Sequence, residues 1–181
     1  MYHSLQRMCL RCFLIYSIDI RMIKILEDFD INPILDCYKR LEPDIQWEEY
    51  TNSKQTGLQY RESKDPWKDA VGVYNGTWIG ENILNPFFKN TIFEEIINNN
   101  NLIRTRFMWA KPFSCYTMHK DVSPRFHIPI ITNPDAYFVF KEEGITHLPA
   151  GHAYWIDTRK HHTVMNCSKD WRLHLVGAYR L

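Results

Sequence analysis

The sequence predicts a mainly β protein, an antiparallel β-core of sandwich or barrel type on which a helical N-terminal part packs. Three observations carry that expectation. From residue 102 onward, short β-rich runs follow one another with no helical pattern between them. Before residue 102, two stretches carry apolar residues at helical spacing. A chain of 181 residues, 45% hydrophobic and 24% charged, suffices for one domain with a sizeable core.

In chain order, the first apolar run is "CFLIYSI", Cys12 to Ile18. It is far too short to span a bilayer, Arg11 and Asp19 bracket it, and no small-residue cleavage site follows. "MIKILEDF" opens at Met22 like a natural protein start, so residues 1–21 are expected to be an N-terminal extension. Residues 22–181 are then a single domain, helical and loop-rich over 22–101 and a β-core over 102–181. "INPILDCYKRL" predicts a helix with Asn32 as N-cap and Pro33 at the first helical position; Ile34, Leu35 and Tyr38 share its apolar face. Residues 51–75 are polar and broken by Pro66 and Gly72, which predicts loops with short strands. "NPFFKNTIFEEIINNNN" predicts a second helix from about Pro86 to the asparagine tract. The β-core then reads "LIRTRFMWA", "FSCYTMH", "FHIPIIT", "AYFVFK", "HAYWID", "HTVMN" and "WRLHLVGAY". Turn residues such as Pro112, Ser123-Pro124 and Asn133-Pro134-Asp135 punctuate it.

Composition excludes some partners. The 22 basic and 21 acidic residues give a net charge of +1, so there is no electrostatic footprint for nucleic acid and no basic run for an anionic membrane. Five cysteines, at 9, 12, 37, 115 and 167, make an odd count that points to a reducing, cytoplasmic compartment. "CLRC" (Cys9 to Cys12) has no second pair to complete a zinc site, and Cys115 and Cys167 read as core thiols.

The chemistry concentrates in "HKD", His119 to Asp121. In a strand, residues two apart face the same side, so His119 and Asp121 can meet one ion, with His162 of "HTVMN" as a third ligand from another strand. Two imidazoles and one carboxylate on one face of an octahedron leave three positions open, the arrangement of non-haem Fe(II) oxygenases. An H-x-D triplet alone is more often an exposed loop. Its neighbours at fixed offsets raise its weight. Arg172, His174 and Val176 share one face of the last strand, with Trp171, Leu173 and Leu175 on the other. An arginine on an inward face needs an anion, and its planar fork suits a carboxylate. The plain alternative is a salt bridge to Asp157. In "RFHIPI", Arg125, His127 and Pro129 share a face, which reads equally as a cationic wall or as a surface stripe on an edge strand. "GLQYRESKDPW" (Gly57 to Trp67) and Trp78 read as a rim or lid over the core, or, preferably, as packing of the N-terminal part against it. Asn166 and Asp157 are candidates for orienting a ligand, whereas Tyr154 and Trp155 belong to the core.

Taken in order, "P-x-S-C-Y-x-x-H-x-D", "R-x-H-I-P", "L-P-A-G-x-x-Y-W-I-D" and "H-T-V-M-N" followed by "R-L-H-L-V" resemble the aspartyl/asparaginyl β-hydroxylase family, over residues 102–178. The resemblance implies a double-stranded β-helix (jelly-roll, cupin-like) core and an Fe(II)- and 2-oxoglutarate-dependent dioxygenase. It implies iron ligands His119, Asp121 and His162, with Arg172 on the distal carboxylate of 2-oxoglutarate and Arg125 and His127 lining the co-substrate site. No catalytic side chain beyond the metal ligands is implied. The reaction implied consumes O2, releases succinate and CO2, and hydroxylates a C–H bond of an amino acid, a peptidyl Asp/Asn-like residue or a related small molecule. Asp121 departs from the animal peptide-hydroxylating branch, which lacks the acidic ligand, and is closer to the bacterial branch. Where relatives carry a helper hydroxyl, ungapped matching puts Met108. Two other readings compete: a catalytically silent cupin-like binding domain, and a non-haem iron dioxygenase that does not use 2-oxoglutarate.

Overall fold

The computed structural model describes residues 22–72 and 80–179; the extension, the Cys9–Cys12 pair and Trp78 lie outside the described residues. The described chain runs β1 (Ile23–Asp28), α1 (Asn32–Leu41), β2 (Glu48–Glu49), β3 (Ser53–Gly57), β4 (Gln59–Tyr60), β5 (Ile83–Leu84), α2 (Ile92–Asn99), β6 (Leu102–Ala110) and β7 (Ser114–Cys115). It continues with β8 (Arg125–Ile131), β9 (Ala136–Phe140), β10 (Gly144–His147), β11 (His152–Ile156), β12 (His162–Asn166) and β13 (Arg172–Tyr179).

A seven-stranded sheet has the order β1-β11-β8-β13-β6-β3-β2, and a four-stranded sheet the order β10-β9-β12-β7; β4 and β5 form a separate pair. Every pairing is antiparallel. The two larger sheets face each other in a double-stranded β-helix, a jelly roll of the cupin type with helices flanking one side. The period of two decides what each face buries. Phe107 and Trp109 of β6, Phe126, Ile128 and Ile130 of β8, and Leu173 and Leu175 of β13 join one apolar core with Ile34, Cys37, Tyr38, Phe93 and Ile97 of the helices. The alternate residues of the same strands turn to the space between the sheets. There Phe138, Phe140, Leu148, Tyr154 and Ile156 form a second, smaller core.

Local details depart from the sequence reading in four places. Ile31, not Asn32, stands at the N-cap of α1, and Asn32 instead donates its backbone N–H and its Nδ2 to Asp30 Oδ1 at 3.0 and 2.8 Å. The second helix is split. A 3-10 turn over Pro86–Phe88 is capped by Asn85, and α2 starts only at Ile92, because Asn90 takes a left-handed φ of 58° between them. Cys115 and Cys167 are exposed rather than core thiols: β7 sets Ser114 opposite the buried Asn166 and turns Cys115 the other way, and Cys167 lies just past the end of β12. β8 is an interior strand, not an edge; Pro129 is tolerated because β11 pairs only with Arg125 to His127 and β13 shifts register beside it.

The loop over residues 61–72 is pressed onto the β3 edge. Gly57 donates its N–H to Trp67 O at 2.8 Å, and a Cβ at Gly57 would lie 2.9 Å from Pro66 O, so only glycine fits there. Trp67 packs on Phe87 and Phe88, which is the packing role expected of it. Among the described residues no helix is long and apolar enough to cross a membrane.

Candidate active site

His119 and His162 exchange both backbone hydrogen bonds at 2.9 Å, a single bridge that closes the gap between the strand after β7 and the start of β12. Their rings stand 4.4 Å apart. Asp121 is held from behind: its N–H donates to Thr158 O at 2.8 Å, while the Thr158 hydroxyl donates to Ser123 O at 2.7 Å. One ligand atom from each of His119, Asp121 and His162 lies within 4.8 Å of the other two. His161, the neighbour, is exposed.

The donor set fits a divalent transition metal. His119 Nδ1 is 2.7 Å from Thr117 O, and His162 Nδ1 is 3.0 Å from Lys160 O. A ring N–H given to a carbonyl leaves Nε2 as a lone pair, the state a metal ligand needs. Burial holds His162 below the usual imidazole range, the Lys160 carbonyl opposing and His119 assisting, so it is neutral. Phe138 stacks on its ring at 5.3 Å and 16°. Burial pushes the Asp121 carboxyl up, but the Arg125 guanidinium, helped by His162, Arg106 and His119, more than offsets this and keeps it ionised. Arg125 Nε donates to Asp121 Oδ2 at 3.0 Å, and Asp121 Oδ1 turns to His119 Nε2 at 4.0 Å. The carboxylate thus has one oxygen clamped and one directed at the triad.

The inner face behind the triad is cationic. His127 and His174 are buried, with Nδ1 atoms 3.3 Å apart. Burial, reinforced by Arg172, holds both well below the usual imidazole range. Arg172 is 5% exposed, and its Nε and Nη2 lie 2.9 and 2.8 Å from the two ring nitrogens of His174. It meets no carboxylate among the described residues. Asp157 is not its partner, because Asp157 is held by Arg159 at 2.7 Å. Burial pushes Arg172 down to about 10, with the nearby Tyr116 opposing it. Tyr116 is a residue that sequence reasoning assigned no role. Its hydroxyl is buried with no hydrogen-bond partner.

The structure brings His119, Asp121 and His162 together and sets Arg125, His127 and Arg172 on the same inner face. It does not bring Asn166 or Asp157 to the triad. Asn166 Nδ2 staples Ala110 O, Lys111 O and Asp170 O at the far end of the barrel, 2.8–3.3 Å away. Thr158 and Tyr116 carried no sequence signal beyond their neighbourhood, since a backbone carbonyl and an unpartnered hydroxyl appear only in three dimensions.

Facing antiparallel sheets with a His-Asp-His cluster between them define a cupin-type fold with a candidate metal centre. The sequence matches the aspartyl/asparaginyl beta-hydroxylase family model over residues 34–179, and the chain belongs to that family of hydroxylases. A 2OG-Fe(II) oxygenase family oxidoreductase from Burkholderia pseudomallei is similar in structure, with a TM-score of 0.54 and 16% identity over 87% of each chain. HygX from Streptomyces hygroscopicus, solved with nickel, 2-oxoglutarate and hygromycin B bound, has a TM-score of 0.53 and 7% identity, over 96% of this chain and 87% of that one. At such identities the likeness is one of fold. Comparison with curated protein sequences gives no match.

Proposed function

We propose that the protein is an Fe(II)- and 2-oxoglutarate-dependent dioxygenase that hydroxylates a C–H bond of an amino acid, a peptidyl Asp/Asn-like residue or a related small molecule, releasing succinate and CO2. One observation carries the reading: Arg172 is a buried guanidinium with no carboxylate partner among the described residues, on the same inner face as a His-Asp-His cluster. A buried cation without an anion is costly, so the site is complete only when an anionic ligand arrives. His119, Asp121 and His162 would hold the iron, which when bound supplies the activation of O2 coupled to oxidative decarboxylation of 2-oxoglutarate.

The chain's own residues do the rest. The Arg172 fork receives the distal carboxylate of the co-substrate, and the unpartnered Tyr116 hydroxyl donates to the same group. Tyr116 supplies there the hydroxyl that Met108 lacks. Arg125 spends one N–H on Asp121 and another on Ser123 Oγ at 2.8 Å, so it orients the acidic ligand as well as lining the co-substrate site with His127. Phe138 and Phe140 flank His162 and keep water from that side. The partner is a small-molecule or peptide substrate rather than nucleic acid. The odd cysteine count supports a cytoplasmic setting.

Oxygen uptake by the Fe(II)-loaded protein, measured with and without 2-oxoglutarate, tests the reading. Uptake that depends on 2-oxoglutarate and yields succinate is expected. Uptake indifferent to it would favour the other non-haem iron chemistry, and no uptake at all would favour the silent binding domain.

A further inference from the structure

Several arginines of this protein meet acids, at the surface (Arg61, Arg159) as in the interior (Arg104, Arg125). Arg61 pairs with Asp69 at 2.6 Å, Arg104 with Glu81 at 2.5 Å, Arg125 with Asp121 at 3.0 Å, and Arg159 with Asp157 at 2.7 Å. Arg172 and Arg106 have no carboxylate partner among the described residues. The proposed co-substrate accounts for Arg172. It leaves Arg106.

Arg106 lies on β6 in one cross-sheet row with Gly57, Val176 and His127. Its neighbour Phe107 faces the helical core, so Arg106 turns to the inner side that carries His127. Its Nη1 donates to Ala70 O at 3.0 Å and its Nε to Met108 Sδ at 3.2 Å, weak compensation for a full charge. The Nη2 edge has no acceptor among the described residues. Burial and the cations of Arg104 and Arg125 push Arg106 down to about 9, against Asp121 and Glu81, each already held by another arginine. The row shared with Val176 and His127 puts this charge on the inner face that carries the candidate co-substrate residues. The Ala70 contact puts it beneath the loop over residues 61–72.

We propose that Arg106 is a second carboxylate site, and that it binds the primary substrate, which is therefore an acid or amino acid taken up as an anion beneath that loop. The proposal rests on the functional reading above, which assigns Arg172 to the co-substrate. Two uncompensated guanidiniums on one inner face call for two anions, and 2-oxoglutarate fills one. A planar fork with a free edge selects a carboxylate over a neutral amide, because the amide leaves the charge unpaired.

The test uses the full chain loaded with Zn(II), so that no turnover occurs, and saturated with 2-oxoglutarate. Acetate is titrated by calorimetry as the minimal carboxylate, with acetamide as its neutral counterpart. Saturable acetate binding and none of acetamide are expected. Arg106→Gln should weaken acetate by roughly tenfold or more while 2-oxoglutarate still binds, and Arg106→Lys should fall between, since it keeps the charge without the fork. Because Arg106→Gln leaves the metal ligands intact, its loss separates binding at the arginine from binding at zinc. Acetate binding unchanged in both variants, or absent from the parent, overturns the proposal. So does loss of 2-oxoglutarate in Arg106→Gln, which would assign Arg106 to the co-substrate. Failure of the parent to bind 2-oxoglutarate at all sinks the functional reading instead.

Discussion

His161 and His162 are neighbours in sequence and opposites in environment. The first is exposed, the second is 3% exposed and stacked on Phe138. A strand sends adjacent side chains to opposite faces, so only one can join His119 and Asp121. His162→Ala should lose most Fe(II), and His161→Ala should keep iron stoichiometry near the parent; metal analysis of the two purified variants decides, and the reverse result would shift the register by one. The Arg172 end is tested by ligand structure. Replacing the fork by lysine should cost about 2–5 kcal/mol in 2-oxoglutarate binding, much of it from a poorly paired buried charge. Tyr116→Phe should weaken 2-oxoglutarate by less, about 0.5–1.5 kcal/mol for one hydrogen bond, and leave the affinity for 2-oxopentanoate unchanged. That analogue lacks the distal carboxylate, so an equal loss for both would make Tyr116 a packing residue only.

At the scale of the element, the loop over residues 61–72 is the segment with most to lose. Asp69 accepts from Arg61 N at 2.7 Å and from Arg61 Nη2 at 2.6 Å, tying the start of the loop to its end. Burial pushes the Asp69 carboxyl up, but the Arg61 hydrogen bonds outweigh it and hold it below the usual range. The folded value lies under the unfolded one, so the tie is fully present above the unfolded value, near pH 4, and is lost as pH falls through the folded value. Asp69→Asn should reproduce that loosening at neutral pH. Trypsin cleavage within the loop, after Lys64 or Lys68, should then quicken severalfold with little change in global unfolding; an unchanged rate would mean that packing of Trp67 on Phe87 and Phe88 holds the loop by itself. The strands teach a related lesson. In "RFHIPI" and "WRLHLV" the alternation tells which residues share a face, and the structure buries Phe126, Ile128, Leu173 and Leu175 together on one side. The break at Lys89-Asn90 was not legible, because helical spacing continued across it while one left-handed residue ended the turn.

For the whole molecule, a chain beginning at Met22 is proposed to be a complete folding unit. Met22 O accepts from Asp157 N at 2.7 Å, and β1 from Ile23 covers the edge of β11. A 22–181 chain should match the full chain in circular dichroism and in metal binding, whereas one beginning at Asn32 should unfold at lower temperature, having bared β11. Insolubility of the 22–181 chain beside a soluble full chain would make residues 1–21 structural. By itself the sequence determined the β-core with flanking helices, the face that each strand shows, and the pattern that marks the hydroxylase family. These are local properties, set by a period of two and by short spacings. Only the tertiary structure decided which acid meets which arginine. Asp157 went to Arg159, Asp121 to Arg125 and Glu81 to Arg104, leaving Arg106 and Arg172 without one among the described residues. It also decided that Cys115 and Cys167 face outward and that the Tyr116 hydroxyl is buried alone. The reason is physical: Asp157–Arg159 and Asp121–Arg125 are neighbours along the chain, but the Arg104–Glu81 pair and the isolation of Arg106 and Arg172 depend on groups that are far apart in sequence and that folding alone brings together.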